Sequence, residues 1–188
     1  MPAVAADSRI PAVDERLIQR CRQGEQDARR ELFQHTSDDV RRILFRLAGP
    51  VADFEDLVQQ VYLAVFASID GFRGESSFST WLFSVCLHVV RKRSRSRGRW
   101  LRLRARLAAN PPAPAADARA EVDQAERARR VWHTLDSLSV RQREVLVMYE
   151  MEGMTGPQIA EILGIPQATV WTRLHHARRA FRRRFRWE

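Results

Sequence analysis

Apolar residues recur at three- and four-residue intervals along almost the whole chain, and no segment keeps the two-residue alternation of a strand. The segment DERLIQRCRQG, from Asp14, opens on acids and stops at Gly24, as a short capped helix should. GEQDARRELFQHTSDDVRRILFRLAG sets Leu32, Phe33, Val40, Ile43, Leu44 and Leu47 at helical spacing and ends at Gly49-Pro50. DFEDLVQQVYLAVFASIDGF places Phe54, Leu57, Val58, Val61, Tyr62, Val65 and Ile69 on one broad face, with Gly71 as its stop. After the loop FRGESS, FSTWLFSVCLHVV brings Phe78, Trp81, Leu82, Val85 and Val89 into register. These four segments are expected to bury a common core in a helical domain over residues 13–98, behind a flexible leader, 1–12.

The pattern then breaks. RKRSRSRGRWLRLRAR is basic, and ANPPAPAADARA is the richest Pro/Ala tract in the chain. Clustered prolines deny a helix its hydrogen bonds, so residues 99–120 read as a linker. A second helical domain is expected over 121–188. A helix through Trp132 and Leu135 leads into SVRQREVLVMYEMEG, TGPQIAEILG and IPQATVWTRLHHARRAFRRRF. Ser139 with Gln142, and Thr155 with Gln158, have capping-box spacing. The fold class is therefore all-α, two small helical domains joined by a flexible linker.

The net charge of +9 changes the picture through its distribution. Residues 1–90 carry ten basic and thirteen acidic side chains, whereas residues 91–106 carry nine basic ones and no acid. The last 48 residues, 141–188, hold nine basic against five acidic. A central basic block and a basic C-terminal domain point to a polyanion, with nucleic acid ahead of membrane. No run of about 18 apolar residues suggests a membrane span, and the N-terminus lacks the basic and apolar regions of a secretory signal. Cys21 and Cys86 belong to no CxxC pair and read as buried thiols of a cytoplasmic protein.

Candidate chemistry concentrates in TGPQIAEILG-IPQATVWTRLHHARR. A short helix with Ile159, Ala160 and Leu163, a turn at Gly164 able to take a positive φ, and a second helix make a helix-turn-helix. At about 100° per residue, Val170, Leu174, Ala177 and Phe181 share the core side. Ala168, Trp171, Thr172, His175, His176 and Arg179 fall opposite, a polar and aromatic face suited to base edges and thymine methyls. The plainer reading is an amphipathic helix with a solvated basic face; the preceding helix and turn weigh against it. Adjacent histidines point about 100° apart and chelate poorly, and no further ligand completes a set with His175 and His176, so neither a metal site nor a cofactor is expected. No nucleophile and orienting acid share that face, so catalysis is not expected either.

These residues resemble bacterial sigma factors of the extracytoplasmic-function (ECF) class. LDSLSVRQREVLVMYEMEGMTGPQIAEILGIPQATVWTRLHHARRAF is similar to their C-terminal region 4, whose helix-turn-helix reads the −35 promoter element. LIQRCRQGEQDARRELF, DFEDLVQQVYLAVF and DGFRGESSFSTWLF are similar, in order, to region 2, which binds the −10 element. The resemblance runs from Leu17 to Arg184. It implies −35 contacts from Gln167, Thr169, Trp171, Thr172, Arg173, His175, His176 and Arg179. It implies −10 contacts from Phe72, Arg73, Ser76, Ser77, Phe78, Trp81, His88, Arg91, Lys92 and Arg95. For Trp81 the helical periodicity also permits core packing. Asp53, Glu55, Asp56, Gln59 and Gln60 would meet the clamp helices of the largest polymerase subunit, although the acids also suit a helix N-terminus. The second domain would meet the polymerase flap. An anti-sigma protein is an expected further partner, with no membrane insertion by this chain and no domain after FRWE.

Three departures stand out. The family often has Tyr-Arg-Ile-Ala, then Asn and Asp, after the Trp81 motif; here Phe83-Ser84-Val85-Cys86 is followed by His88 and Lys92. Trp171 stands where Lys or Arg is common, and Gln60 replaces a usual acid. The implied function is a non-enzymatic sigma factor that directs core RNA polymerase to promoters and helps melt them. The alternative is a helix-turn-helix regulator that acts without polymerase, which would not need the acidic DFEDLVQQ surface.

Overall fold

The computed structural model describes residues 13–107 and 124–185, with side chains described for 13–95 and 130–185. In that part of the chain the helices run α1 (Glu15–Arg22), α2 (Gln26–Ala48), α3 (Phe54–Ser68), α4 (Phe78–Leu107), α5 (Gln124–Asp136), α6 (Val140–Leu146), α7 (Gly156–Leu163) and α8 (Gln167–Arg184). No strand occurs among the described residues, in keeping with the periodicity. The expected leader, 1–12, and linker residues 108–120 lie outside them.

The first four helices form one bundle. Asp14 caps α1 by accepting from the Arg16 N–H at 3.1 Å, and α1 lays Leu17, Ile18 and Cys21 against α2. Arg22 then donates to the carbonyls of Ile69 (3.3 Å) and Phe72, tying the end of α1 to the 3₁₀ turn Ile69–Gly71 that follows α3. Leu32, Val40, Ile43 and Leu44 of α2, Val61 and Val65 of α3, and Phe83 and Cys86 of α4 fill the centre. One polar pair sits among them. The Thr36 hydroxyl donates to the Leu32 carbonyl at 2.7 Å and lies 2.9 Å from the Tyr62 hydroxyl, so neither is left unsatisfied. Burial pushes the Tyr62 phenol up to about 12, against a smaller lowering by the Thr36 hydrogen bond.

The sequence pattern ends the basic helix near residue 98, but α4 continues to Leu107, so residues 99–107 of the expected linker are helical. Leu, Arg and Ala are good helix formers, and Gly98 by itself does not stop a helix. The first proline pair is Pro111-Pro112.

The second bundle holds α5 to α8. Both capping boxes form: Ser139 with Gln142 opens α6, and Thr155 with Gln158 opens α7. A π-helical segment, Val147–Met151, extends α6, burying Val147 and Met148 while Tyr149 turns toward α8. Gly164 ends α7 in the left-handed conformation at φ 62°, where a side chain would be strained. Leu135, Val145, Met148, Ile159, Val170 and Leu174 make the core.

Candidate nucleic-acid and polymerase interface

The orientation of α8 follows from its buried side. Val170, Leu174 and Ala177 are buried as the periodicity requires, Phe181 is half-buried, and Ala180 joins the core. Gln167, Trp171, Thr172, His175, His176 and Arg179 are exposed on the other side, with Thr169 and Arg173 half-buried at its margins. His175, Arg179, Arg182 and Arg183 line one open groove along the helix, a cationic surface of the kind that follows phosphates. The His175 and His176 rings stand 5.8 Å apart at 63° to each other, and among the described residues no group of three His, Cys, Asp or Glu gathers.

Trp171 has a second task that its position on the wheel does not reveal. It is 41 % exposed, and the rest of its ring lies edge-on to Tyr149 at 5.5 Å and directly over Gly156. A Cβ on Gly156 would come within 2.6 Å of the Trp171 ring. Arg178 lies over the opposite partner, Tyr149, at 5.1 Å and pairs with Glu150 at 2.6 Å. Trp171 thus pins the recognition helix to the start of α7 while leaving an edge outward. The available signal was a glycine just inside a helix start, where the missing Cβ lets another group approach the backbone closely.

In the first bundle the expected DNA residues divide. His88, Lys92 and Arg95 are exposed and, at four- and three-residue spacing, share one side of α4. Arg91 turns away to Glu144, whose carboxylate hydrogen bond holds the guanidinium above its ordinary value against the opposing effect of burial. Phe72 and Phe78 are 5 % and 7 % exposed and meet edge to face at 5.6 Å, so both are core residues rather than open contacts for single-stranded DNA. Trp81 sits 5.4 Å from each ring, half-buried, and is the member of the trio nearest solvent. Arg73 is exposed in the loop and Ser76 half-exposed. Ser77 caps α4, its hydroxyl accepting from the Thr80 N–H at 3.2 Å.

The acidic helix behaves similarly. Asp56, Gln59 and Gln60 are exposed along α3. Leu63, which the sequence reading passed over, extends that face and is 65 % exposed. An apolar side chain so exposed four residues after Gln59 was visible in the string as a hydrophobe on the polar side of the wheel. Glu55 accepts a forked bond from Arg41 at 2.5 and 2.6 Å, which holds its carboxyl below the usual range. Asp53 precedes α3 but makes no capping bond; its carboxylate pairs with Arg93 instead. Cys21 and Cys86 are buried, and desolvation raises both thiols, which removes them from thiolate chemistry near neutral pH.

Comparison with known proteins follows this two-part layout. Residues 32–100 match the family described as Sigma-70 region 2, and residues 128–181 match Sigma-70, region 4. RNA polymerase sigma factor NccH of Alcaligenes xylosoxydans xylosoxydans is 28% identical over 175 residues, covering 89% of this chain and 92% of that protein. ECF RNA polymerase sigma factor SigW of Bacillus subtilis (strain 168) is 27% identical over 177 residues, covering 90% and 95%. The sigma factor RpoE of Bartonella quintana, solved in complex with the anti-sigma factor NepR, shares the fold with a TM-score of 0.65 at 22% identity, covering 82% of this chain and 94% of that one. With one region match in each helical bundle, in order, and relatives aligned along nearly their whole length, the chain belongs to the sigma-70 family of RNA polymerase sigma factors, in its ECF class.

Proposed function

We infer that this protein binds core RNA polymerase and directs it to promoters by recognising the −35 and −10 elements. The observation that carries the reading is the outward face of α8, held by a capped helix-turn-helix and free of core duties along Thr172, His175, His176 and Arg179. These side chains suit base edges in a major groove, and the arginines beyond them suit the flanking phosphates. His88, Lys92 and Arg95, with the outer edge of Trp81, suit the −10 strand by charge and stacking. The face of Asp56, Gln59, Gln60 and Leu63 suits a protein partner, which we assign to the clamp helices; a polar rim around an exposed leucine is a common interface composition. The second bundle then meets the flap. The sigma factor acts in the cytoplasm without enzymatic activity of its own. An anti-sigma protein is a further partner, supported by the NepR complex of the related fold.

The test is run-off transcription with purified core polymerase on promoter DNA. A promoter-specific transcript that needs this protein supports the reading. Absence of both transcript and co-purification with core overturns it in favour of a regulator that acts alone.

A further inference from the structure

The first turns of α8 differ in chemistry from the rest of its outward face. Residues 167–172, Gln-Ala-Thr-Val-Trp-Thr, carry no charge, and the basic side chains begin at Arg173, which is half-buried. His175, His176 and Arg179 follow, with Arg182 and Arg183 beyond them. In a helix-turn-helix the N-terminal residues of the second helix are the ones that meet base edges. At that place this helix presents a largely apolar surface.

Three exposed residues compose it. Ala168, Trp171 and Thr172 are neighbours through three- and four-residue spacing. The Thr172 hydroxyl donates to the Ala168 carbonyl at 3.0 Å, so its proton is committed, and it adds a methyl and an acceptor oxygen to the face. Trp171 is the largest of the three and is held from behind. Tyr149 meets its ring edge-on at 5.5 Å, and the absent Cβ of Gly156 gives the ring its seat. Tyr149 is itself covered by Arg178 at 5.1 Å, and Arg178 is fixed on Glu150 at 2.6 Å. The indole is therefore ordered before DNA arrives, which spares most of the entropy that a free side chain loses on binding.

What such a surface can read is narrow. Among the four base-pair patterns of the major groove, only thymine offers a methyl group. Against guanine or cytosine the same apolar edge would displace water from donors and acceptors and leave them without partners, which is costly. We propose that Trp171, flanked by Ala168 and Thr172, is a thymine reader: its outer edge seats the 5-methyl group of one thymine in the −35 element. The proposal rests on the −35 reading of α8 and deepens it by naming the base chemistry. The basic residues from Arg173 onward then serve phosphates and the remaining base edges, so affinity and this part of specificity come from different turns of one helix.

The experiment uses the full chain assembled with purified core polymerase. Duplexes are selected from a random-sequence pool, and their shared upstream element becomes the −35 probe. Each thymine in the probe is replaced in turn by deoxyuridine, which removes the methyl and keeps the base pair. At one position this is expected to weaken binding roughly three- to fivefold, the worth of one buried methyl. Trp171→Ala is expected to bind the thymine and deoxyuridine probes for that position equally. If Trp171 served only to hold α8, its loss would weaken both probes alike and leave their ratio unchanged; that result overturns the proposal. A selected element in which no thymine methyl matters overturns it as well. Circular dichroism checks that Trp171→Ala is folded, and Trp171→Arg gives a second test with a side chain common at this place in the family. Selection with Trp171→Arg is expected to exchange the thymine for guanine, and retention of thymine refutes the reader. A pool that yields no upstream element at all is a failure of the −35 reading, and the thymine reader falls with it.

Discussion

The recognition helix and the −10 surface are built on opposite terms. On α8 the residues expected to meet DNA are almost free of structural work: Thr172, His175, His176 and Arg179 stand outward while Val170, Leu174 and Ala177 hold the helix. In the first bundle the corresponding residues are shared with the fold. Phe72 and Phe78 are core, Ser77 is a cap, and Arg91 pairs with Glu144 of the second bundle; among the residues expected to meet polymerase, Asp53 and Glu55 likewise hold arginines. A regular helix segregates its faces, so binding and packing separate cleanly. A loop leading into a helix has no such segregation, and its aromatics are drawn into the nearest apolar space.

That contrast is broken most directly by truncating the two kinds of residue. Phe78→Ala is expected to destabilise the protein by about 3–5 kcal/mol in denaturant unfolding, as loss of a buried phenyl ring does. Thr172→Ala on α8 is expected to stay within about 0.5 kcal/mol. Equal stability for the two would show that Phe78 is a surface residue. Next in size is the alkaline response of the first core. Tyr62 titrates near 10 in the unfolded chain but near 12 when folded, so the unfolded state releases its proton first. Stability is then fully present below pH 10 and falls as pH rises from 10 towards 12, by roughly 2–3 kcal/mol at most. Tyr62→Phe is expected to flatten that decline, and a slope that persists in the variant assigns it to other groups.

The exception on α8 sharpens the comparison further. Gly156→Ala drives a methyl to 2.6 Å from the Trp171 ring and 3.1 Å from the Gln167 amide. Overpacking of this kind costs about 1–3 kcal/mol. The double variant with Trp171→Ala is expected to recover most of the Gly156→Ala penalty, measured as a coupling in a double-mutant cycle. Additive losses would mean that Trp171 does not pin α8 to α7. The smallest effect concerns Arg179: its replacement by Ala is expected to lower the magnitude of the salt slope of −35 duplex binding by about 0.9, the loss of one phosphate contact. An unchanged slope excludes that contact.

Much of this was legible in the string because it depends on neighbours three or four residues away. Helical periodicity gave the all-α class and the buried side of α8; Ser139, Thr155 and Gly164 marked helix ends through hydrogen bonds and a backbone angle that act within one turn. Local spacing also put His88, Lys92 and Arg95 on one side of α4. What only the tertiary structure decided were partnerships across 15 to more than 100 residues. Gly156 receives Trp171, Arg91 finds Glu144 and Arg46 finds Glu152; over a shorter span, Phe72 meets Phe78 across the folded-back loop rather than facing solvent. The reach of α4 past residue 98 belongs with these, since a basic run says nothing of its own ending when no proline intervenes. Periodicity reports which way a side chain points; what stands there to meet it depends on how the bundles come together.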